Sequence, residues 1–128
     1  MIKVNVVKQA NYPVGAAKIK RELRDFFAAQ GIVSAGEVSV VLVGKAKMLD
    51  LVAKYLKEAK MHSVLAFSEE ELSGDFRYPP DGQLHLGEIV VCFPQVVTEA
   101  KAEGKLLEKK VWELVEHGAN HLLGIHHT

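Results

Sequence analysis

The sequence predicts an α+β fold: a single domain spanning residues 1–128, in which a mixed β-sheet packs with helices. Three observations carry that expectation. The chain has 128 residues, a length that suits one domain. Its composition, 48% hydrophobic and 25% charged, is that of a soluble globular protein able to bury one sizeable core. Runs of β-branched residues alternate irregularly with apolar stripes at helical spacing, and no repeat, low-complexity tract or linker divides them.

Taken in order, Ile2–Lys8 alternates Ile and Val with Lys and Asn, the pattern of a half-buried strand. Pro13 and Gly15 break the chain. Residues 16–30 follow as an amphipathic helix with Ile19, Leu23, Phe26 and Phe27 on its apolar side, and Gly31 stands where such a helix closes. Glu37–Val43 is rich in strand formers and stops at Gly44. Lys45–Glu58 reads as a second helix with Leu49, Val52 and Leu56 along one face, and Ser63–Phe67 as a short apolar strand. From Ser68 to His85 the chain is an acidic loop containing Pro79-Pro80-Asp81-Gly82, long enough to suggest function or mobility. Leu86–Phe93 is a further strand. Pro94 opens a helix to about Glu103, and after Gly104 the last helix runs Lys105–Leu122.

Composition narrows the function classes. No apolar run approaches the length of a membrane span, and Met1–Asn5 lacks the order of a signal peptide. The single cysteine, Cys92, cannot form an internal disulfide and sits in the apolar run Ile89–Phe93 as a buried hydrophobe. These features point to the cytoplasm and away from a membrane. Net charge is zero, so bulk charge makes no argument for a polyanionic partner. Residues 1–60 hold 11 Lys+Arg against 5 Asp+Glu, and residues 61–128 the reverse, 5 against 11. On that evidence alone the asymmetry reads as a solvated, charge-alternating surface.

The chemistry concentrates at the chain end. On the last helix Leu107, Val111, Leu114, Val115, Gly118 and Leu122 form an apolar stripe, and His117 and His121 lie side by side on its edge. Imidazoles at i, i+4 can converge on one ion. Gly124 can end the helix and turn the chain, bringing a third histidine, His126 or His127, to the same point. Neutral imidazole suits Zn²⁺, with Ni²⁺ or another divalent ion as substitutes. Three protein ligands would leave a position for water, whose pKa zinc lowers to about 7. Gly118 follows His117 where a metalloprotease motif would carry its general-base glutamate, so that chemistry is excluded; Gly118 permits close approach of another backbone or a substrate instead.

The pattern His117-Gly118-x-x-His121-Leu122-Leu123-Gly124-x-x-His127 resembles the motif of the bacterial YbeY family (UPF0054), His-Gly-x-Leu-His-Leu-x-Gly-Tyr-Asp-His. Leu86-Gly87-Glu88-Ile89 is similar to the family's Leu-Gly-Asp-Ile strand, and Tyr55 to Ser68 aligns without a gap to a further family segment through Tyr55, Val64, Leu65 and Phe67. The resemblance implies a zinc-dependent, single-strand-directed endoribonuclease that matures the 3′ end of 16S rRNA and acts in ribosome quality control. Its partners would be single-stranded ribosomal RNA and the small ribosomal subunit. It implies one zinc ion on His117, His121 and His127, with the ion's water as the reacting group and no protein base assigned. His126 takes the family's Asp position, and Glu88 or His126 would orient a ligand from behind it. The family's arginine after the tyrosine is Leu56 here, which also extends an apolar stripe; the family's Thr-Asp is His62-Ser63. Lys45, Lys47, Lys54, Lys57 and Lys60 would steer the RNA backbone, with Lys57, Lys60 and His62 as possible direct contacts and His85 as a lesser candidate. An alternative reading is a metal-stabilised ribosome-assembly factor with weak or lost nuclease activity.

Overall fold

A computed structural model describes residues 2–32, 35–68 and 84–124. The elements are β1 (Ile2–Lys8), α1 (Ala16–Ala29), β2 (Gly36–Val43), α2 (Lys45–Leu51) continued by a π-helical turn (Val52–Leu56), β3 (Val64–Ser68), β4 (Leu84–Cys92), α3 (Phe93–Glu103) and α4 (Leu107–Leu122). The four strands form one sheet in the order β1-β2-β4-β3. β1 and β4 both run parallel to the central β2, and β3 pairs antiparallel with β4 on the outside. The expected mixed α+β sheet is therefore present. Among the described residues no helix is long and apolar enough to cross a membrane.

Strand alternation sorts the core into two layers. On one face Val4, Val40, Ile89 and Val91 pack with Leu23 and Phe27 of α1 and Val111 and Val115 of α4. On the other face Val43, Leu65, Phe67, Val90 and Cys92 pack with Met48 and Val52 of the α2 segment. α1 is closed by hydrogen bonds from Gly31 N–H to the Ala28 carbonyl and from Ile32 N–H to that of Phe27, each 3.0 Å. Pro94 sits in the first turn of α3, where its missing N–H costs nothing. Cys92 is fully buried, and that burial pushes its thiol pKa up, so it is an inert core residue as expected.

Three expectations are corrected. The second helix does not run regularly to Glu58: it widens into a π turn at Val52, ends at Leu56, and Lys57 caps it in the left-handed region (φ 57°). Met48 and Val52 form the buried face and Leu49 is 40% exposed; past the π turn Leu56 is 38% exposed, out of step with that buried face. Leu56 is therefore not a core residue. The expected loop loses both ends to the sheet, since Ser68 belongs to β3 and Leu84 and His85 to β4, where His85 pairs in register with Glu37; its centre, 69–83, lies outside the described residues. The last helix begins at Leu107, two residues later than expected.

Lys110 is a charged residue inside this packing, 4% exposed. Its Nζ reaches Glu103 at 2.9 Å and Glu99 and Glu113 at 3.4 Å, which ties α3 to α4. Burial pulls its pKa down, but hydrogen bonds and attraction from Glu103 and Glu113 outweigh that and hold it above the usual lysine value. Lys105 pairs with Glu113 (2.6 Å) and Glu103 (3.0 Å) in the same cluster.

Candidate active-site cleft at the edge of the sheet

Two glycines set the geometry of the site. Gly118 faces the sheet from α4: a Cβ there would lie 2.7 Å from Ile89 Cγ2 and 3.5 Å from the Ala66 Cβ. Its missing side chain lets the helix settle directly on β3 and β4. This is the close approach read from the sequence, and the neighbour is the protein's own sheet. Gly87 lies at a bulge in β4, where the register with β2 slips so that Glu37 faces His85 but Val38 faces Gly87. Its φ of +132° and the Phe67 carbonyl oxygen, which occupies the space a Cβ would need, admit no side chain. The bulge resets the strand, so Leu86 and Ile89 share one face while Glu88 and Val90 take the other.

Seating α4 this way places His117 and His121, one turn apart and both exposed, over the outer side of β3. They line a cleft of ≈ 200 Å³ together with Gly118, the β3 stretch Val64–Phe67, and Leu56 from the end of the π turn. β3 is an outer strand of the sheet, so the cleft runs beside a strand edge. No acidic residue is among these lining residues. α4 ends in Leu123 and Gly124, with Gly124 at φ +74° and its N–H on the His121 carbonyl at 3.0 Å. The helix thus stops where the sequence places the turn.

The sequence-derived residues divide as follows. His117 and His121 come together in the cleft. His126 and His127 lie outside the described residues. Among the described residues no group of three His, Cys, Asp or Glu side chains gathers to hold an ion. The two described imidazoles fit a divalent metal in donor chemistry, i, i+4 spacing and exposure to one cleft. Glu88 borders a second cleft of ≈ 200 Å³ with Lys47, Tyr55 and Phe67 on the α2 face, across the sheet from His117 and His121 of α4. His62 hydrogen-bonds Glu58 at 3.1 Å and does not line the histidine cleft. Lys57 and Lys60 are exposed on the segment leading from Leu56 to β3, outside the cleft walls. Leu56 itself is the residue that sequence reasoning misplaced. Its signal was an apolar side chain at a position where the resemblance expects a cation.

Comparison with known proteins gives a consistent result. The family model described as Endoribonuclease YbeY matches residues 5–128. An endoribonuclease YbeY of Dehalococcoides mccartyi is 30% identical, the match covering 98% of this chain and 84% of that protein. One from Moorella thermoacetica is 34% identical, covering 94% and 80%. A solution structure of a Thermotoga maritima protein shares the fold with a TM-score of 0.59 at 23% identity, over 98% of this chain and 75% of the other. The match runs through strands, bulge and histidine helix alike, and the chain belongs to the YbeY endoribonuclease family.

Proposed function

We propose that this chain is a single-strand-directed, metal-dependent endoribonuclease acting in 16S rRNA 3′-end maturation and ribosome quality control, and that the cleft beside β3 is where it cuts. The observation that carries the reading is the pair His117 and His121, one helical turn apart and open to the same cleft in a chain of this family.

His117 and His121, with His127 by the family motif, would hold one zinc ion, for which Ni²⁺ or another divalent metal could substitute. When bound, zinc supplies Lewis-acid activation of water and charge stabilisation at the phosphoryl group. The chain's own contribution is position. Gly118 brings the two imidazoles to the strand edge, and β3 gives the cleft a rigid floor. The described lining residues carry no carboxylate to repel a phosphodiester, and exposed Lys54, Lys57 and Lys60 attract the RNA backbone towards the cleft. No protein side chain in the cleft is assigned as base. The working compartment would be the cytoplasm, and the partner the small ribosomal subunit.

Leu56 favours a second reading, a ribosome-assembly factor with weak or lost cleavage, because an apolar side chain occupies the wall where the family carries its arginine. One experiment separates the two. A single-stranded fragment spanning the 16S 3′ end is incubated with protein, with chelator, and with chelator followed by zinc. Cleavage lost with chelator and restored by zinc is the expected result. Co-sedimentation with small subunits in the absence of any cleavage supports the assembly factor, and inactivity towards RNA without subunit association refutes both.

A further inference from the structure

Leu56 stands half in solvent at the mouth of the cleft. A leucine in a core needs no further account; this one is 38% exposed and faces the space that His117 and His121 also line. The π turn is what delivers it there, by ending the helix one residue out of step with the buried Met48 and Val52. With Leu56 on one side and Val64 and Ala66 of β3 beneath, the cleft offers hydrocarbon walls on one side and imidazole nitrogens on the other. Its volume of ≈ 200 Å³ admits one planar ring. Among the described residues the lining holds no carboxylate, and the exposed Lys54 and Lys57 flank Leu56 in the chain. The surroundings therefore accept an anionic strand while the walls themselves favour an apolar group.

Within a nucleic acid strand only the base has apolar faces and polar edges, and only an unpaired base can leave the stack to reach such walls. We propose that Leu56 is a base-contacting specificity residue, seating against β3 the unpaired base next to the scissile phosphate. This rests on the cleft being the RNA-cleaving site. Single-strand selection then follows from apolar contact with a base, where a cation at this position would select through phosphate.

Binding tests this independently of cleavage. The probe is a fluorescein-labelled single strand with hydrolysis-resistant phosphorothioate linkages, either intact or carrying one abasic site stepped along its length, and the readout is fluorescence anisotropy. Leu56→Ala is expected to weaken binding of the intact strand about 5- to 10-fold, the scale of one base contact. That loss disappears on the strand whose abasic site falls at the seated position, and Leu56→Met binds like the wild type. The proposal is overturned if Leu56→Ala binds the intact strand normally, if it loses affinity equally on every abasic strand, if Leu56→Met fails alongside it, or if wild type does not bind the intact strand. Cleavage of the matching natural RNA is read in parallel. Base-dependent binding without cleavage would sink the nuclease reading and leave the base seat standing, while cleavage indifferent to Leu56 does the opposite.

Discussion

At Gly118 one absent methyl group decides where the histidines sit. Alanine would gain about 1 kcal/mol of helix propensity, but its Cβ would press to 2.7 Å on Ile89, a fully buried β-branched side chain with no room to swing. Overpacking of that kind costs about 1–3 kcal/mol. Gly118→Ala is therefore expected to be net destabilising in urea titrations and to lower activity as α4 is pushed off the sheet. A variant as stable as wild type would contradict the packing described. Gly87 is stricter, because the obstacle is the β3 backbone itself at Phe67 and Ser68 and φ is +132°. Gly87→Ala is expected to cost more than about 3 kcal/mol, through strain and a broken bulge, visible as a large drop in Tm. Gly118 and the His117/His121 spacing are legible in the sequence, since each is a pattern within a few residues; the bulge at Gly87 is not, because it depends on the register with β2. The exposure of Leu56 is not legible. It depends on a π turn that no local residue type announces, and the apolar stripe Leu49–Val52–Leu56 is equally well drawn on a regular helix.

Among the elements, the α3–α4 pair is held by an ionic cluster that the helical stripe gave no reason to expect. Lys110 lies on the buried side of α4 because Glu99, Glu103 and Glu113 meet its ammonium while its stem packs among apolar neighbours. The partners come from two helices, so the pairing becomes visible only once the helices are docked. Its pH dependence has two sides. Glu113 and Glu103 are held below the usual carboxylate value, chiefly by hydrogen bonds from Lys105 and Lys110 respectively. Their contribution is present above pH ~4.5 and lost as pH falls through the lowered folded values. Lys110 is raised, so its contribution is complete below pH ~10.5 and lost as pH rises through its folded value. Tm measured against pH should fall at both extremes, and Lys110→Met should flatten the alkaline limb. An unchanged alkaline limb in that variant would show that Lys110 carries no linkage. Strand and helix existence was otherwise readable from periodicity, with ends shifted by one or two residues where a bulge or cap intervened.

For the whole molecule, the decisive feature is the strand order β1-β2-β4-β3. It puts β3 on the outside, sets α4 across it, and leaves the π turn on the far rim, so residues more than 60 positions apart, Leu56 and His121, line one cleft. It also separates Glu88 from His117 and His121 by the thickness of the sheet, which the neighbouring motifs in the sequence conceal. Sheet order arises from long-range pairing, and periodicity within a segment carries no trace of it. The measurement that tests the account most directly is single-turnover cleavage of a single-stranded 16S 3′-end fragment by wild type, His117→Ala and His121→Ala, with Tm recorded for each. Both histidines are exposed, so neither substitution should disturb folding. The account predicts Tm values close to wild type in the absence of metal and a rate lower by at least about 10-fold, since loss of a ligand should cost no less than loss of a residue that merely orients one. Cleavage at the wild-type rate by either folded variant would contradict it.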